Sequence, residues 1–188
     1  AFKHSFPSIS KLRSKLKRDK TEIQITDFGA GSLVYKSNNR RVSEMHASAS
    51  ISKKQGEFLH RLVCYFKPKT ILELGTHLGL SSAYMALASE TEIVTLEGCP
   101  STAEVASQNH RELDVENVKL KLGDFLDSLP EVLCKMKAVD MAYIDANHSY
   151  EGTMWNYEQI SLNTEEHSVL IFDDINWSPD MKKAWDEI

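Results

Sequence analysis

Cysteine is scarce in this chain of 188 residues, and long runs of apolar residues are absent. The three cysteines (Cys64, Cys99 and Cys134) are widely separated and show no Cys-x-x-Cys or Cys/His spacing. They predict small buried thiols in a reducing cytoplasm, and they argue against a zinc site. No stretch approaches the roughly 20 apolar residues that a membrane span needs. Residues 1–20 also lack the apolar core of a signal peptide, so we expect a cytoplasmic protein.

Negative charge predominates, yet the first 20 residues are strongly basic. The chain has a net charge of −5, with 41% hydrophobic and 26% charged residues, which is typical of a globular domain. Seven basic residues against one aspartate give residues 1–20 a charge of +6, which leaves −11 on the rest. Ile9, Leu12 and Leu16 recur at helical spacing and predict a short amphipathic helix. Its charge could attract RNA, an acidic partner or a membrane surface. No aromatic residues stand among the charges of residues 11–20, which favours a solvated helix that balances an acidic body.

The chain divides near residue 50 into an N-terminal arm and a main domain, 51–188. Residues 1–50 are predicted to hold the basic helix and a polar connecting arm with at most one short strand, because glycines and asparagines interrupt residues 21–50. From residue 51 onward the apolar residues become periodic. A helix that ends before Pro68 is predicted by the three-to-four-residue spacing of Phe58, Leu59, Leu62, Val63 and Phe66.

Five short apolar runs then alternate with helical patterns. The predicted strands are Thr70–Leu74, Glu92–Leu96, Val118–Leu122, Val139–Asp145 and Ser168–Asp173. The predicted helices are 81–89, 102–113, 125–136, 150–162 and 178–188, the last with Ser178 as its N-cap and Pro179 at its first position. Strands that alternate with helices form βαβ units with right-handed crossovers. The pattern predicts an α/β, Rossmann-like, doubly wound and mostly parallel sheet with helices on both faces.

Two glycine-containing segments compete for the role of a ligand-binding loop. Asp27–Gly31 has an acid and two glycines in tight order, but no apolar helical face follows it, so a tight turn in the arm is the better interpretation. The segment 71–81 fits better. A buried strand ends at Glu73, Gly75 permits a sharp turn, and Gly79 opens the next helix, whose free N–H groups suit a ligand.

The spacing within this loop favours S-adenosylmethionine over a dinucleotide. A dinucleotide loop needs the middle glycine of Gly-x-Gly-x-x-Gly for its pyrophosphate. This loop has Gly75-x-x-x-Gly79, with Thr76 and His77 in between. S-adenosylmethionine carries no phosphate, and an acid two residues before the first glycine suits its ammonium and sulfonium groups. We therefore predict this methyl donor as the cofactor.

Further acids follow the next two strands. Glu97 lies 22 residues after Gly75, at the end of the second predicted strand, where a carboxylate can accept both ribose hydroxyls. Asp124 follows the third strand and is placed to accept a hydrogen bond from the adenine amino group, with Phe125 packing on the ring. Asp124 is equally suited to cap the helix that begins at Phe125, and the two roles are compatible.

Two segments resemble a known family. Residues 71–86, ILELGTHLGLSSAYMA, resemble motif I of the catechol O-methyltransferase-like enzymes. Residues 143–152, YIDANHSYEG, resemble the fourth-strand motif of a related group that includes the macrocin-type sugar O-methyltransferases. The similarity, over roughly residues 50–178, implies a class I S-adenosylmethionine-dependent methyltransferase. The sheet of that class continues into two further strands, for which nothing remains here, so the resemblance implies a C-terminally incomplete domain.

The resemblance also implies a set of cofactor-binding residues. In the family the position of Ser81 contacts the cofactor carboxylate, and His77 stands where the catechol enzymes have a tyrosine. The residues expected to contact the cofactor are Glu73, Gly75, Thr76, His77, Gly79, Ser81, Glu97, Gly98, Asp124, Phe125 and Asp145.

Three acids at the ends of the fourth and fifth strands predict a metal site. Asp145, Asp173 and Asp174 follow adjacent parallel strands, at the edge where such sheets bind ligands. Their carboxylates would repel one another unless a cation joined them, and all-oxygen ligands suit Mg²⁺ or Ca²⁺. The catechol enzymes have Asp, Asp and Asn here, whereas Asp174 matches the macrocin-type group. A metal-bound acceptor hydroxyl loses its proton more readily.

His148 is the predicted general base. It lies three residues after Asp145, where the catechol enzymes have a catalytic lysine, and a histidine that titrates near neutrality can take the acceptor's proton. Asp145 and His148 are therefore the predicted catalytic residues. The alternative is that His148 caps the following helix while Asp173 and Asp174 cap a turn. Surface positions are expected for the histidines without a partner pattern, which are His4, His46, His60, His110 and His167.

These features together predict methylation of a hydroxyl group on a small molecule, assisted by a divalent metal ion. Three alternatives stay open: methylation of nucleic acid, supported only by the basic N-terminus; cofactor binding without turnover; and an NAD-dependent oxidoreductase. The Asn/Asp-Pro-Pro-aromatic motif of amino-group methylation is missing, since the fourth strand has Ile144-Asp-Ala-Asn. We expect a small-molecule acceptor and no nucleic-acid partner, and a homodimer is compatible with the sequence.

Overall fold

The computed structural model describes residues 6–26 and 38–188, so the Asp27–Gly31 segment lies outside the described residues. The helices are α1 Pro7–Leu16, α2 Val42–Ala49, α3 Lys53–Phe66, α4 Leu80–Ala86, α5 Pro100–Glu112, α6 Phe125–Lys135, α7 Tyr150–Ser161 and α8 Pro179–Glu187. The strands are β1 Glu22–Gln24, β2 Asn39–Arg41, β3 Ile71–Leu74, β4 Ile93–Glu97, β5 Val118–Leu122, β6 Met141–Ile144 and β7 Val169–Phe172.

The central sheet has five parallel strands in the order β5-β4-β3-β6-β7. The chain enters the sheet at β3, adds β4 and β5 on one side, then returns to add β6 and β7 on the other. This is the doubly wound order expected from alternating strands and helices, and the prediction of a Rossmann-like α/β fold is confirmed. The direction of winding reverses between β3 and β6, which is the point where such sheets bind ligands at the carboxyl ends of the strands.

Alternate residues of the central strands face two separate cores. In β3, Ile71 packs in one hydrophobic cluster and Leu72 in the other, and β6 repeats the pattern with Met141 and Ala142. Successive side chains of a strand point to opposite faces, so the sheet needs a helical layer on each side. Residues of α1, α3 and α4 line the first cluster, while residues of α6 and α7 line the second. This confirms the prediction of helices on both faces.

The basic N-terminal segment forms the predicted helix, and the apolar face of that helix is buried. Ile9, Leu12 and Leu16 of α1 are 0–1% exposed and pack in the same cluster as residues of α3 and α4. Lys15 pairs with Glu112 of α5. The helix therefore contributes to the main core and is more than a solvated appendage.

The connecting arm contains more regular structure than predicted. Strands β1 and β2 pair antiparallel, and α2 follows directly after β2. The strands have three residues each and α2 has eight, so neither is long enough to show a periodic apolar pattern. A hydrogen bond from the Arg41 backbone N–H to Glu44 Oε2, at 3.3 Å, instead stabilises the start of α2.

The last helix begins where the sequence predicts. The Met181 backbone N–H donates to the Ser178 hydroxyl at 3.1 Å, and Pro179 is the first helical residue. Met181 and Ala184 are buried, and α8 packs against α7. In the part of the chain that the structure describes, no strand follows β7. None of the helices described has the length and apolar character required to cross a bilayer.

Candidate active site

The loops after β3, β4 and β6 meet at the carboxyl edge of the sheet. The N–H groups of Gly75 and Thr76 both donate to the Leu96 carbonyl, at 3.0 and 3.1 Å. The Asp145 N–H donates to the Leu74 carbonyl at 2.9 Å. Gly75 has a φ of +93°, and a Cβ at this position would lie 2.1 Å from the Asp145 carbonyl oxygen. Only glycine fits here, because the turn passes so close to the neighbouring chain.

The predicted cofactor loop and the predicted ribose-binding acid are adjacent. The His77 N–H donates to Glu97 Oε2, and the Cys99 N–H donates to Glu97 Oε1, both at 2.9 Å. Burial raises the pKa of Glu97, while the backbone donors of Cys99, His77 and Gly98 lower it in part. The carboxylate at the end of β4 is therefore fixed against the loop, and its oxygens retain lone pairs for further hydrogen bonds.

The loop ends in a left-handed turn. Gly79 has a φ of +75° and is the N-cap of α4, which brings Ser81 into the first helical turn. His77 has a φ of +49°, an uncommon conformation for a residue with a side chain. Burial, with smaller contributions from His46 and Arg40, lowers the pKa of His77 to about 4. The His77 ring is therefore a neutral hydrogen-bonding group at pH 7.

Glu73 is a fully buried acid beneath this loop, at 0% exposure. The Thr95 hydroxyl donates to Glu73 Oε2, and the Thr76 and Thr95 hydroxyls lie 2.6 Å apart. Oε1 has no hydrogen-bond partner among the described residues. Burial raises the pKa of Glu73 to about 7, partly opposed by the hydroxyls of Ser81, Thr95 and Ser82. Glu73 is thus a buried acid with one oxygen that accepts no hydrogen bond among the described residues.

Asp124 and Phe125 follow β5, on the outer side of Glu97. The Asp124 carboxylate accepts the Leu126 N–H at 3.0 Å and caps α6, so the capping role predicted as one alternative is confirmed. The Gly123 N–H donates to the Glu97 carbonyl at 3.0 Å, which ties this turn to the end of β4. Phe125 is half-buried against the second hydrophobic cluster. Contact of either residue with an adenine ring stays a prediction.

A cluster of possible metal ligands lies after β6 and β7. It consists of Asp145, His148 and Asp174, each with one ligand atom within 4.8 Å of the others. His148 Nε2 is 3.5 Å from Asp145 Oδ1. Two carboxylates and an imidazole are a suitable ligand set for a divalent cation.

Asp173 is placed differently from the predicted metal trio of Asp145, Asp173 and Asp174. The Tyr143 hydroxyl makes a short hydrogen bond to Asp173 Oδ2, and the Asp174 N–H donates to Oδ1 at 2.9 Å. The Asp173 carboxylate is thus engaged by these donors and lies outside the group of mutually close ligand atoms. His148 occupies its place in that group.

This cluster brings several acidic side chains close together. Burial, together with the neighbouring carboxylates of Asp173 and Asp174, raises the pKa of Asp145 to about 8. Burial also raises the pKa of Tyr143, which faces the same acids. Burial lowers the pKa of His148, while Asp174 and Asp173 oppose that shift. A bound cation would stabilise the ionised form of these acids, because it supplies the positive charge that their surroundings lack. The residues present therefore fit a divalent metal ion.

An exposed tryptophan stands beside the cluster. The Trp177 ring centroid is 5.6 Å from that of His148, and Trp177 is 41% exposed. The Trp177 backbone N–H donates to the Asp174 carbonyl at 2.8 Å, so the turn after β7 fixes the backbone that carries the ring. Trp177 therefore provides an aromatic wall next to the cluster. The backbone of the neighbouring turns is also unusual, since Asn147, His148 and Asp174 all have positive φ, and such residues are concentrated at functional sites.

The expectation of surface positions is wrong for His60 and His110, which are 3% and 6% exposed. His60 Nδ1 lies 3.2 Å from the Tyr84 carbonyl, between α3 and α4. His110 lies on the inner side of α5, against the cofactor loop. The missed signal is the spacing of Ala103, Ala106 and His110, which places the histidine on the apolar side of the helix.

The fold and the site define a class of protein, an α/β domain with its candidate ligand site at the winding reversal of a parallel sheet. A family model described as a methyltransferase domain matches residues 72–175, more than half of the chain. The chain belongs to this methyltransferase family. Together with two curated relatives, this match confirms the predicted resemblance to catechol O-methyltransferase-like enzymes.

Two curated relatives have the same name. A catechol O-methyltransferase of Niastella koreensis is 37% identical over 129 residues, which cover 66% of this chain and 57% of that protein. A catechol O-methyltransferase of Mycobacterium tuberculosis is 34% identical over 101 residues, which cover 52% of this chain and 45% of that protein. The chain therefore spans about half the length of the curated relatives that it matches.

Solved structures share the fold. One is the O-methyltransferase from Bacillus cereus in complex with S-adenosylhomocysteine, with a TM-score of 0.68 and 26% sequence identity. The match covers 75% of this chain and 71% of that one. A structure from Klebsiella pneumoniae has a TM-score of 0.73 at 20% identity, with coverages of 99% and 79%. These matches give no support to the expectation that two strands are missing, which stays a prediction.

Proposed function

We propose that this chain transfers the methyl group of S-adenosylmethionine to a hydroxyl oxygen of a small molecule, assisted by a divalent cation. The observation that carries the proposal is the meeting of two half-sites at one edge of the sheet. The first is the Gly75–Gly79 loop bound to Glu97, and the second is the cluster of Asp145, His148 and Asp174. The family supports methyl transfer, and the names of the curated relatives support an oxygen acceptor.

The first half-site would bind the cofactor. Glu97 accepts the ribose hydroxyls, since its carboxylate is held beside the loop with lone pairs to spare. Glu73 accepts a hydrogen bond from the ammonium group of the methionine part through its unpartnered Oε1. The other residues proposed to contact the cofactor are Gly75, Thr76, His77, Gly79, Ser81, Gly98, Asp124, Phe125 and Asp145.

The second half-site would prepare the acceptor. Asp145 and Asp174 would hold the cation, with Asp173 as the further predicted ligand and His148 left free of it, and the bound cation would lower the pKa of the acceptor hydroxyl. His148 takes the acceptor's proton, because its imidazole lies beside Asp145 and beside the exposed ring of Trp177. The chain aligns the acceptor oxygen with the methyl group, and alignment alone can contribute about 7–11 kcal/mol in favourable cases.

Two measurements test the proposal. Calorimetry with S-adenosylhomocysteine measures cofactor binding, and a methyl-transfer assay with catechol, with and without a chelator, measures turnover and its cation dependence. We expect His148→Ala to lower turnover by about 100-fold or more, the usual contribution of a general base, with little change in the affinity for S-adenosylhomocysteine.

His167→Ala is the matched control, because His167 is exposed and precedes β7, whereas Asp174 of the cluster follows that strand. Its turnover should equal that of the unmodified chain. Equal losses of turnover and cofactor affinity in His148→Ala would mean that His148 is structural. Absence of S-adenosylhomocysteine binding by the unmodified chain would overturn the proposed function altogether.

A further inference from the structure

His110 is a buried polar residue that lies against the cofactor loop but outside the predicted site. Its Nε2 is 3.1 Å from the Gly79 carbonyl oxygen and 2.9 Å from the Ser82 hydroxyl oxygen. A Cβ at Gly79 would lie 2.5 Å from the same nitrogen. The imidazole thus occupies the space that a side chain at residue 79 would need.

The chemistry of these groups determines where the proton is. A carbonyl oxygen only accepts hydrogen bonds, so His110 Nε2 carries the hydrogen and donates it to Gly79. The Ser82 hydroxyl can accept from the same N–H, and its own proton remains available for a second acceptor. The Ser82 hydroxyl also lowers the pKa of the buried Glu73 carboxyl group, which belongs to β3 beneath the same loop.

The neighbouring residue strengthens the attachment. Asn109 Nδ2 donates to the Leu78 carbonyl at 2.9 Å, and Asn109 is 3% exposed. The last turn of α5 therefore binds two successive carbonyl groups of the loop, those of Leu78 and Gly79. At its other end α5 begins directly after Glu97 and Cys99, so the same helix contacts both parts of the proposed cofactor site.

We propose that His110 is a positioning residue for cofactor binding, which holds the left-handed turn at Gly79 and the Ser82 hydroxyl in the arrangement that receives S-adenosylmethionine. This inference rests on the proposed function. His110 itself touches neither the cation cluster nor Glu97 in the hydrogen bonds that it makes. Its loss should therefore weaken cofactor binding and leave the methyl-transfer step unchanged.

Calorimetry with S-adenosylhomocysteine tests the inference in three variants. We expect His110→Ala to raise the Kd about tenfold, the effect of one lost buried hydrogen bond. His110→Gln should restore affinity to within about threefold, because its amide N–H can donate to the same carbonyl. Turnover of catechol at saturating cofactor should stay within about twofold in both. His167→Gln, at an exposed histidine, is the matched control.

A structural role alone would give a different result. It would lower the melting temperature of His110→Ala without changing the Kd of the folded protein, and that outcome overturns the inference. If His110→Ala does not fold, Ser82→Ala replaces it as the test, because this variant keeps the imidazole and removes the hydroxyl. An unchanged Kd of Ser82→Ala for S-adenosylhomocysteine would equally overturn the inference. Failure of the unmodified chain to bind S-adenosylhomocysteine overturns the proposed function as well, whereas tight binding with unaffected variants overturns this inference alone.

Discussion

Glu73 shows how strongly burial controls chemistry at the level of a single residue. Glu73 belongs to β3, which lies between β4 and β6, and its unexposed carboxyl group accepts a hydrogen bond from the Thr95 hydroxyl. The neighbouring hydroxyl groups stabilise the ionised form, but desolvation outweighs them and raises the pKa to about 7. The empty protein therefore holds this acid partly protonated at neutral pH, and a cationic ligand group would favour its ionised form.

The free energy of unfolding of the cofactor-free protein should depend on the ionisation of Glu73. The unfolded chain releases this proton near pH 4.5, while the folded chain keeps it to about pH 7, so stability should fall as pH rises through that window. The expected loss is about 3 kcal/mol from this group. Urea unfolding at several pH values should show a flatter profile for Glu73→Gln, which cannot ionise. Parallel profiles for the two proteins would contradict the prediction.

Sequence patterns predict which acids stand at the strand ends, but not which neighbour each carboxylate binds. Asp145 and Asp174 lie together as expected, whereas Tyr143 engages Asp173 and His148 takes its place in the cluster. That choice depends on the pairing of β6 with β7, which brings the Tyr143 hydroxyl to Asp173 across the sheet. A polar ring in an otherwise apolar strand is the signal that sequence reasoning overlooked.

At the level of elements, the sequence predicts long periodic segments well and short ones poorly. The five strands of the central sheet lie within the predicted runs to within about a residue or two, as does helix α6. The fourth predicted strand corresponds to β6, which begins two residues later than predicted, at Met141. Just before it, the Asp140 carboxylate accepts the Thr70 N–H at 3.2 Å. Helix α2 has only two buried residues, Val42 and Met45, and too few apolar positions to reveal a period.

Helix α1 offers a direct test of its place in the core. Leu12 is 1% exposed within the first hydrophobic cluster, while its neighbour Lys11 is exposed. We expect Leu12→Ala to lower the free energy of unfolding by about 2–5 kcal/mol, the usual cost of such a cavity. Lys11→Ala should change it by no more than about 0.5 kcal/mol. Urea unfolding measures both, and similar small changes would show that α1 packs only loosely.

At the level of the whole molecule, two hydrophobic cores sandwich one sheet, and every group of the proposed site projects from one edge of it. The alternation of strands and helices predicts this architecture because each βαβ unit must cross over in the same hand. Contacts between distant segments, such as those of α1 with α4, depend on how the units pack and leave no local trace in the sequence.

Cofactor binding should stabilise the whole fold. At a concentration of about 100 times its Kd, S-adenosylhomocysteine should raise the free energy of unfolding by about 2.7 kcal/mol. Glu97→Ala should lose most of this gain, because the variant lacks the proposed ribose acceptor. Glu92→Ala is the matched control, since Glu92 is exposed at the opposite end of β4. Thermal unfolding with and without the ligand measures the gain, and an undiminished gain in Glu97→Ala would refute the assignment.

The close approach of Gly75 to the Asp145 carbonyl has a thermodynamic consequence. One loop belongs to the proposed cofactor half-site and the other to the proposed cation half-site, so neither can shift without moving its neighbour. If a bound cation changes the affinity for the cofactor by some factor, the bound cofactor must change the affinity for the cation by the same factor. Each ligand would reset the concentration at which the other half-saturates the protein, whichever of them arrives first.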